Sequence, residues 1–118
     1  MANILVTYVP TNTTQPIQVD PPNLRVSPGS NLITWEAVNC TFSPTTGIVF
    51  TPTSSAPAIW PNPAPSLQSD GTYQTTDSHH LTLSESAIEY NYNVTIVTLT
   101  PNHTRHTRFD PDVTNTPE

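Results

Sequence analysis

Proline occurs 14 times in 118 residues, more than twice the usual share of roughly 5%. No other feature limits the fold as strongly. Proline lacks a backbone N–H and fixes φ, so it is excluded from helix interiors and from central strands. The prolines here are scattered along the chain, leaving only short windows between them. Those windows accommodate short strands joined by frequent turns. A chain rich in Pro, Thr and Ser can also remain disordered. The two Trp, four Tyr and three Phe, set in patterned apolar runs, argue for a packed core instead.

The windows read as strands. Residues 3–9 (Asn-Ile-Leu-Val-Thr-Tyr-Val) are β-branched and aromatic and end at Pro10. Short strands follow at 17–19 and 24–26, stopped by Asp20-Pro21-Pro22 and by Ser27-Pro28-Gly29-Ser30. The second stop suits a turn with positive φ at Gly29. Residues 31–38 alternate, with Ile33, Trp35 and Ala37 on one face, which predicts Trp35 as a core anchor. Further strands are predicted at 47–51, 72–75, 79–83, 88–99 and 103–109, with turns at Asp70-Gly71 and Asp77-Ser78. The 88–99 run places Tyr90, Tyr92, Val94 and Ile96 on one face and Asn91, Asn93 and Thr95 on the other. Its pattern loosens near Val97–Leu99, where a bulge or change of face is predicted. In 103–109, Arg105, Thr107 and Phe109 alternate against His106 and Arg108. No stretch shows helical spacing over ten or more residues. The expected fold is all-β: one domain over 1–118, a two-sheet antiparallel sandwich, immunoglobulin-like or cupredoxin-like, of about eight or nine strands. Residues 52–66 form an irregular Pro-rich segment and 110–118 an extended C-terminal tail in this reading.

Charge removes several functions. The net charge is −6, there is no Lys, and Arg25, Arg105 and Arg108 are the only strong bases. Such a surface does not neutralise a row of phosphates, so neither nucleic acid nor anionic membrane is an expected partner. Schiff-base chemistry and a Walker-type phosphate grip both need lysine. A single cysteine, Cys40, permits neither an internal disulfide nor a multi-Cys zinc site. The chain opens Met-Ala-Asn-Ile-Leu-Val and has no long apolar run, so the expected location is cytoplasmic.

The residues able to carry chemistry are few. His79, His80, His103 and His106 are candidate metal ligands, since imidazole is the commonest one. Within an extended strand His79 and His80 point to opposite faces, so only one of them can join a site. Cys40 lies too early, and Met1 is the only methionine, for a blue-copper set of Cys, two His and Met; Cys40 reads as a small buried apolar residue. Glu85/Glu89 and Asp110/Asp112 are carboxylate pairs close in sequence, but glycosidase chemistry needs two carboxylates facing each other across a sugar. There is no Gly-x-Ser-x-Gly elbow. Trp60, Tyr73 and the Asn-rich face of 88–99 are candidates for sugar binding by ring stacking and hydrogen bonding.

Tyr90-Asn91-Tyr92-Asn93-Val94-Thr95-Ile96 leads on to Phe109-Asp110-Pro111-Asp112-Val113-Thr114-Asn115-Thr116-Pro117. This ending resembles that of small bacterial proteins of the DP-EP type, named for Asp-Pro and Glu-Pro dipeptides near the C-terminus. Thr116-Pro117 stands where Glu-Pro would be expected. The resemblance covers about a third of the chain. It implies a compact bacterial β-sandwich and carries no catalytic residue across. Physically, Asp110-Pro111 reads as a strand stop, after which the tail covers a sheet edge. The expectation from sequence is thus an acidic, non-catalytic binding or assembly module without a cofactor. A protein partner, including a second copy in a homodimer, is the first choice of ligand. Carbohydrate is the second, and a His-bound metal the third.

Overall fold

The computed structural model describes residues 2–12, 14–51, 64–79, 86–99, 105–109 and 111–116. Among them lie eleven strands and no helix: β1 (Ala2–Tyr8), β2 (Ile17–Asp20), β3 (Asn23–Val26), β4 (Gly29–Val38), β5 (Cys40–Phe42), β6 (Ile48–Thr51), β7 (Ser66–Leu67), β8 (Tyr73–His79), β9 (Ile88–Thr98), β10 (Arg105–Arg108) and β11 (Asp112–Asn115). They form a two-sheet sandwich. The first sheet has the order β2-β1-β4-β8-β7; the second has six strands, β10, β9, β11, β3, β5 and β6.

Registers show how the second sheet is built. Val94 of β9 pairs with Ile48 and also with Arg108, and Asn91 pairs with Thr51 and also with Asp112. A strand has two edges, so β5 and β6 share one edge of β9 while β10 and β11 share the other. Each flank is thus a single interrupted strand. On one side residues 43–47 loop out, held by Ser43 N–H to Thr95 O (3.1 Å) and Thr95 N–H to Gly47 O (2.9 Å). On the other, the register steps from Arg108↔Val94 to Asp112↔Asn91, an offset of one residue between β10 and β11 that marks a bulge. Tyr92 N–H donates to Pro111 O (2.9 Å) within it.

The all-β sandwich agrees with the sequence, and several details correct it. The sheets are mixed, since β1 pairs with β4 and β11 with β3 in parallel. Strands β5, β7 and β11 were not expected, and the break at Asp77-Ser78 does not exist: β8 runs through it. Asp77 is fully buried, and Asn115 Nδ2 donates to its Oδ1 (3.2 Å), so a residue type that usually makes turns is held inside a strand. The C-terminus is not a tail over an edge. After the Pro111 bulge the chain resumes as β11, enclosed between β9 and β3. Strand β9 keeps its alternation to the end, with Ile96 and Thr98 buried; the irregularities belong to its neighbours. Asp70-Gly71 is a turn, with φ 89° at Gly71 and Asp70 Oδ1 accepting from Thr72 N–H (3.0 Å) and Thr72 Oγ1 (2.7 Å). Gly29 has φ 126°, as its turn requires. Most of 52–66 lies outside the described residues.

Trp35 is fully buried between the sheets. It meets Tyr92 at 5.5 Å and Phe50 at 6.1 Å, both edge-to-face, the geometry aromatic quadrupoles favour. Ile4, Val6, Ile33, Val94, Ile96 and Val113 are likewise fully buried around this centre. The chain changes sheet five times, and three of these crossings are short links. Asn39 (φ 62°) turns the chain from β4 in the first sheet to β5 in the second, using the left-handed region that Asn tolerates. The links from β2 to β3 and from β3 to β4 are the other two.

Tyr73, on β8 of the first sheet, closes the loop at 43–47 in the second. It is 2% exposed. Its hydroxyl proton is shared between Ser43 O (2.6 Å) and Pro44 O (2.8 Å), and its oxygen accepts from Gly47 N–H (3.2 Å). Gly47 must be glycine, because an added Cβ would overlap the Tyr73 ring and lie 2.8 Å from Ser43 O. Tyr73→Phe orphans these buried groups and is expected to cost about 1–3 kcal/mol. Gly47→Ala should cost at least as much, since backbone and a packed ring must both move. Urea unfolding measures both; an unchanged midpoint for Tyr73→Phe would show that the hydroxyl bridges nothing of consequence.

Candidate functional site

Arg108 and His106 point inward from β10 at the seam between the sheets. Arg108 Nη1 donates to Ile17 O (3.2 Å) on the outer strand of the first sheet. The His106 ring stacks on Tyr8 of β1, with centroids 5.3 Å apart and planes tilted by 30°. Both side chains are half-buried, and His106 Nε2 and Arg108 Nε are enclosed without a hydrogen-bond partner. Phe109, the next residue, is 64% exposed. Leu5, Leu32, Val38, Val49, Leu67 and Leu99 are also exposed, and Phe109 is the only aromatic ring among these exposed large hydrophobics of the described residues.

His106, Arg108 and Phe109 border a groove of about 290 Å³ between β10 and the loop that leads into β2. Thr14 and Gln15 supply the loop side; His106, Thr107, Arg108 and Phe109 supply the strand side. The loop is held locally. Asn12 Oδ1 accepts from Gln15 N–H (3.0 Å) and Thr14 Oγ1 (3.0 Å), and Gln18 Nε2 donates to Gln15 O (2.8 Å). None of the described lining residues is acidic. Two other grooves differ in charge. One of about 420 Å³ carries Glu36 and Asp70, and one of about 240 Å³, lined by Tyr8, Pro10, Asn39, Thr98 and Leu99, carries no charged side chain.

A second polar cluster crosses the outer face of the second sheet. The pairings align Thr51, Asn91, Asp112 and Asn23 in one row, with Glu89, Thr114 and Arg25 in the next. With its amide oriented to donate, Asn23 reaches Asp112 Oδ2 at 2.7 Å. Thr114 Oγ1 donates to Asp112 Oδ1 (3.2 Å). The Asp112 carboxyl is pushed above its ordinary value, first by burial; the neighbouring Glu89 carboxyl adds to this, while Thr114 and the Arg25 charge oppose it. The convergent carboxylates are therefore Glu89 and Asp112, one from each sequence pair. They are diagonal neighbours on β9 and β11, side by side on one sheet face, whereas a glycosidase sets its two carboxyls on either side of a sugar.

The other candidates separate. Tyr73 offers no face to a sugar, because its ring packs edge-on against Phe42 and its hydroxyl is used by the 43–47 loop. His79 ends β8 opposite Gly29, on a different sheet from His106. The His79 side chain, His80, His103 and Trp60 lie outside the described residues. Among the described residues no three of His, Cys, Asp and Glu gather as a metal site. Cys40 is buried, with Sγ 3.4 Å from Val38 O, and burial pushes its thiol pKa up, which leaves a protonated, unreactive thiol. No helix among the described residues is long and apolar enough to cross a membrane. Sequence reading found His106 but missed the groove, since Gln15 and Phe109 are 94 positions apart in the chain. The one available signal was Phe109 itself, a phenylalanine that falls on the Arg105/Thr107 outward face.

Comparison with known proteins returned no matching family model, no matching curated protein and no matching solved structure.

Asp112 yields a test with a definite sign. Its folded-state pKa lies above the ordinary 3.8, so in the pH window above 3.8 the folded chain binds protons more tightly than the unfolded one. Stability then falls as pH rises through that window, and the loss is complete above the folded pKa. Asp112→Asn removes this titration. Relative to wild type, the variant should gain stability between pH 3 and pH 7, read from urea midpoints. A difference that stays flat, or moves the other way, would show that ionising Asp112 costs the fold nothing.

Proposed function

We propose that this chain is a non-catalytic binding module whose ligand surface is the groove beside β10. The observation that carries the reading is Phe109, an exposed ring set next to Arg108 and the loop polar groups in one concavity. A concave site with an aromatic face and a few convergent polar groups is the usual form of a small-ligand site. The rim is preorganised by Asn12, which lowers the ordering cost of binding.

The edges of the first sheet do not favour assembly by strand addition. At the β2 edge, Ile17 O is already occupied by Arg108, and β7, at the opposite edge of that sheet, is two residues long. Both features blunt pairing with another chain.

A fragment screen followed by backbone amide NMR tests the proposal. Shift changes should gather on Gln15, Ile17, His106, Thr107 and Phe109. Fragments that perturb only the Glu36/Asp70 groove, or no coherent patch, would overturn it.

A further inference from the structure

We infer that the groove beside β10 selects a carboxylate-bearing sugar, a uronate residue; the inference rests on the groove being a binding site. Three observations lead to this ligand class. The first is charge. The chain carries −6 overall, yet this groove is lined by Arg108 and His106 and by no described acidic residue, whereas the larger groove carries Glu36 and Asp70. A localised cation on an acidic protein favours an anionic group at that spot and repels anions elsewhere. With Nε enclosed and Nη1 bonded to Ile17 O, Arg108 recognises a carboxylate by charge and a single charge-assisted hydrogen bond, not by a two-point fork.

The second is the ring. Phe109 offers an open aromatic face, which suits the flat C–H side of a pyranose as a stacking partner. The third is the rest of the lining. The Gln15 amide and the Thr14 hydroxyl oxygen, whose proton goes to Asn12, supply polar groups, the kind of partners that a ring of hydroxyls requires; the Thr107 hydroxyl is taken up by Thr95 Oγ1 (3.0 Å). At about 290 Å³ the groove lies near the lower end of ligand sites, which fits a ligand of one or two rings. A simple carboxylate would satisfy Arg108 but leave Phe109, Thr14 and Gln15 unused. A neutral sugar would use those and leave Arg108 unmatched.

Calorimetry with three probes separates these requirements: trigalacturonate, its methyl ester, which loses only the charge, and hippurate, which keeps an anion without a sugar. Trigalacturonate should bind, and both others should bind about tenfold more weakly or worse, in line with the loss of a charged hydrogen bond or of the hydroxyl contacts. Raising salt from about 0.01 M to about 1 M shortens screening from roughly 30 Å to roughly 3 Å and should weaken trigalacturonate but leave the ester unchanged. Phe109→Ala should weaken trigalacturonate about three- to tenfold with an unchanged melting temperature, because the ring is exposed. Arg108→Gln should abolish the preference for the acid over the ester. Because Arg108 also bonds Ile17 O, its variant is read only if it melts as a folded protein, and Phe109→Ala decides if it does not. Equal binding of the ester overturns the anionic requirement, equal binding of hippurate overturns the sugar, and no binding of trigalacturonate overturns both. If the fragment screen still maps to the groove while trigalacturonate fails, only the ligand class is wrong. If both are silent, the binding reading falls with it.

Discussion

The fit of one sheet on the other rests first on the Tyr73 hydroxyl, which makes three of the polar bonds between them. Tyr73 belongs to the first sheet, yet its oxygen lies among Ser43 O, Pro44 O and Gly47 N–H of the second. The chain has no disulfide, since Cys40 is its only cysteine. Apolar packing around Trp35 is non-directional and sets how close the sheets come. Hydrogen bonds from Tyr73 set where they sit relative to each other, because a buried donor or acceptor left unpaired is costly. The latch also explains the interruption between β5 and β6. Five residues loop out of the ladder, and their inward-facing carbonyls need a donor, which the first sheet provides.

Arg108 plays the corresponding part at the other seam. It joins β10 to the Ile17 carbonyl and fixes the height of the strand above the loop at 14–17. The groove is therefore a consequence of how the sheets are joined, and it does not depend on a separate loop insertion. Its cation is already needed by the fold, which places charge beside Phe109 at little extra desolvation cost. The bulge between β10 and β11 has the same double effect. It shifts the register between β10 and β11 by one residue, and it falls where the exposed ring stands.

Much of this architecture was legible in the chain. Alternation identified Trp35 and the Tyr90–Ile96 face as core, and Gly29 and Gly71 marked turns that require positive φ. The failures have physical causes. Asp77-Ser78 looks like a turn locally, but a distant amide, Asn115, donates to the Asp77 carboxylate and the strand continues. Asp110-Pro111 looks like a terminus, yet a bulge absorbs the proline and β11 resumes in a parallel pairing with β3 that no local pattern announces. Tyr73 looked like a surface ring because its neighbours Gln74 and Thr72 are polar; its three partners are about thirty positions away. Of the site, His106 was visible as a residue type. The groove was not, because it depends on the approach of β2 to β10, which only the packed sheets define.

Amide hydrogen exchange at Gly47 tests the latch most directly. Gly47 sits in a five-residue loop, and a loop amide open to water exchanges quickly. If Tyr73 holds it, its protection should match that of Thr95 and Tyr92 in β9, and should collapse in Tyr73→Phe while β9 remains protected. A Gly47 amide that exchanges at the rate of an open loop in the wild-type chain would contradict the claim that Tyr73 fixes the two sheets.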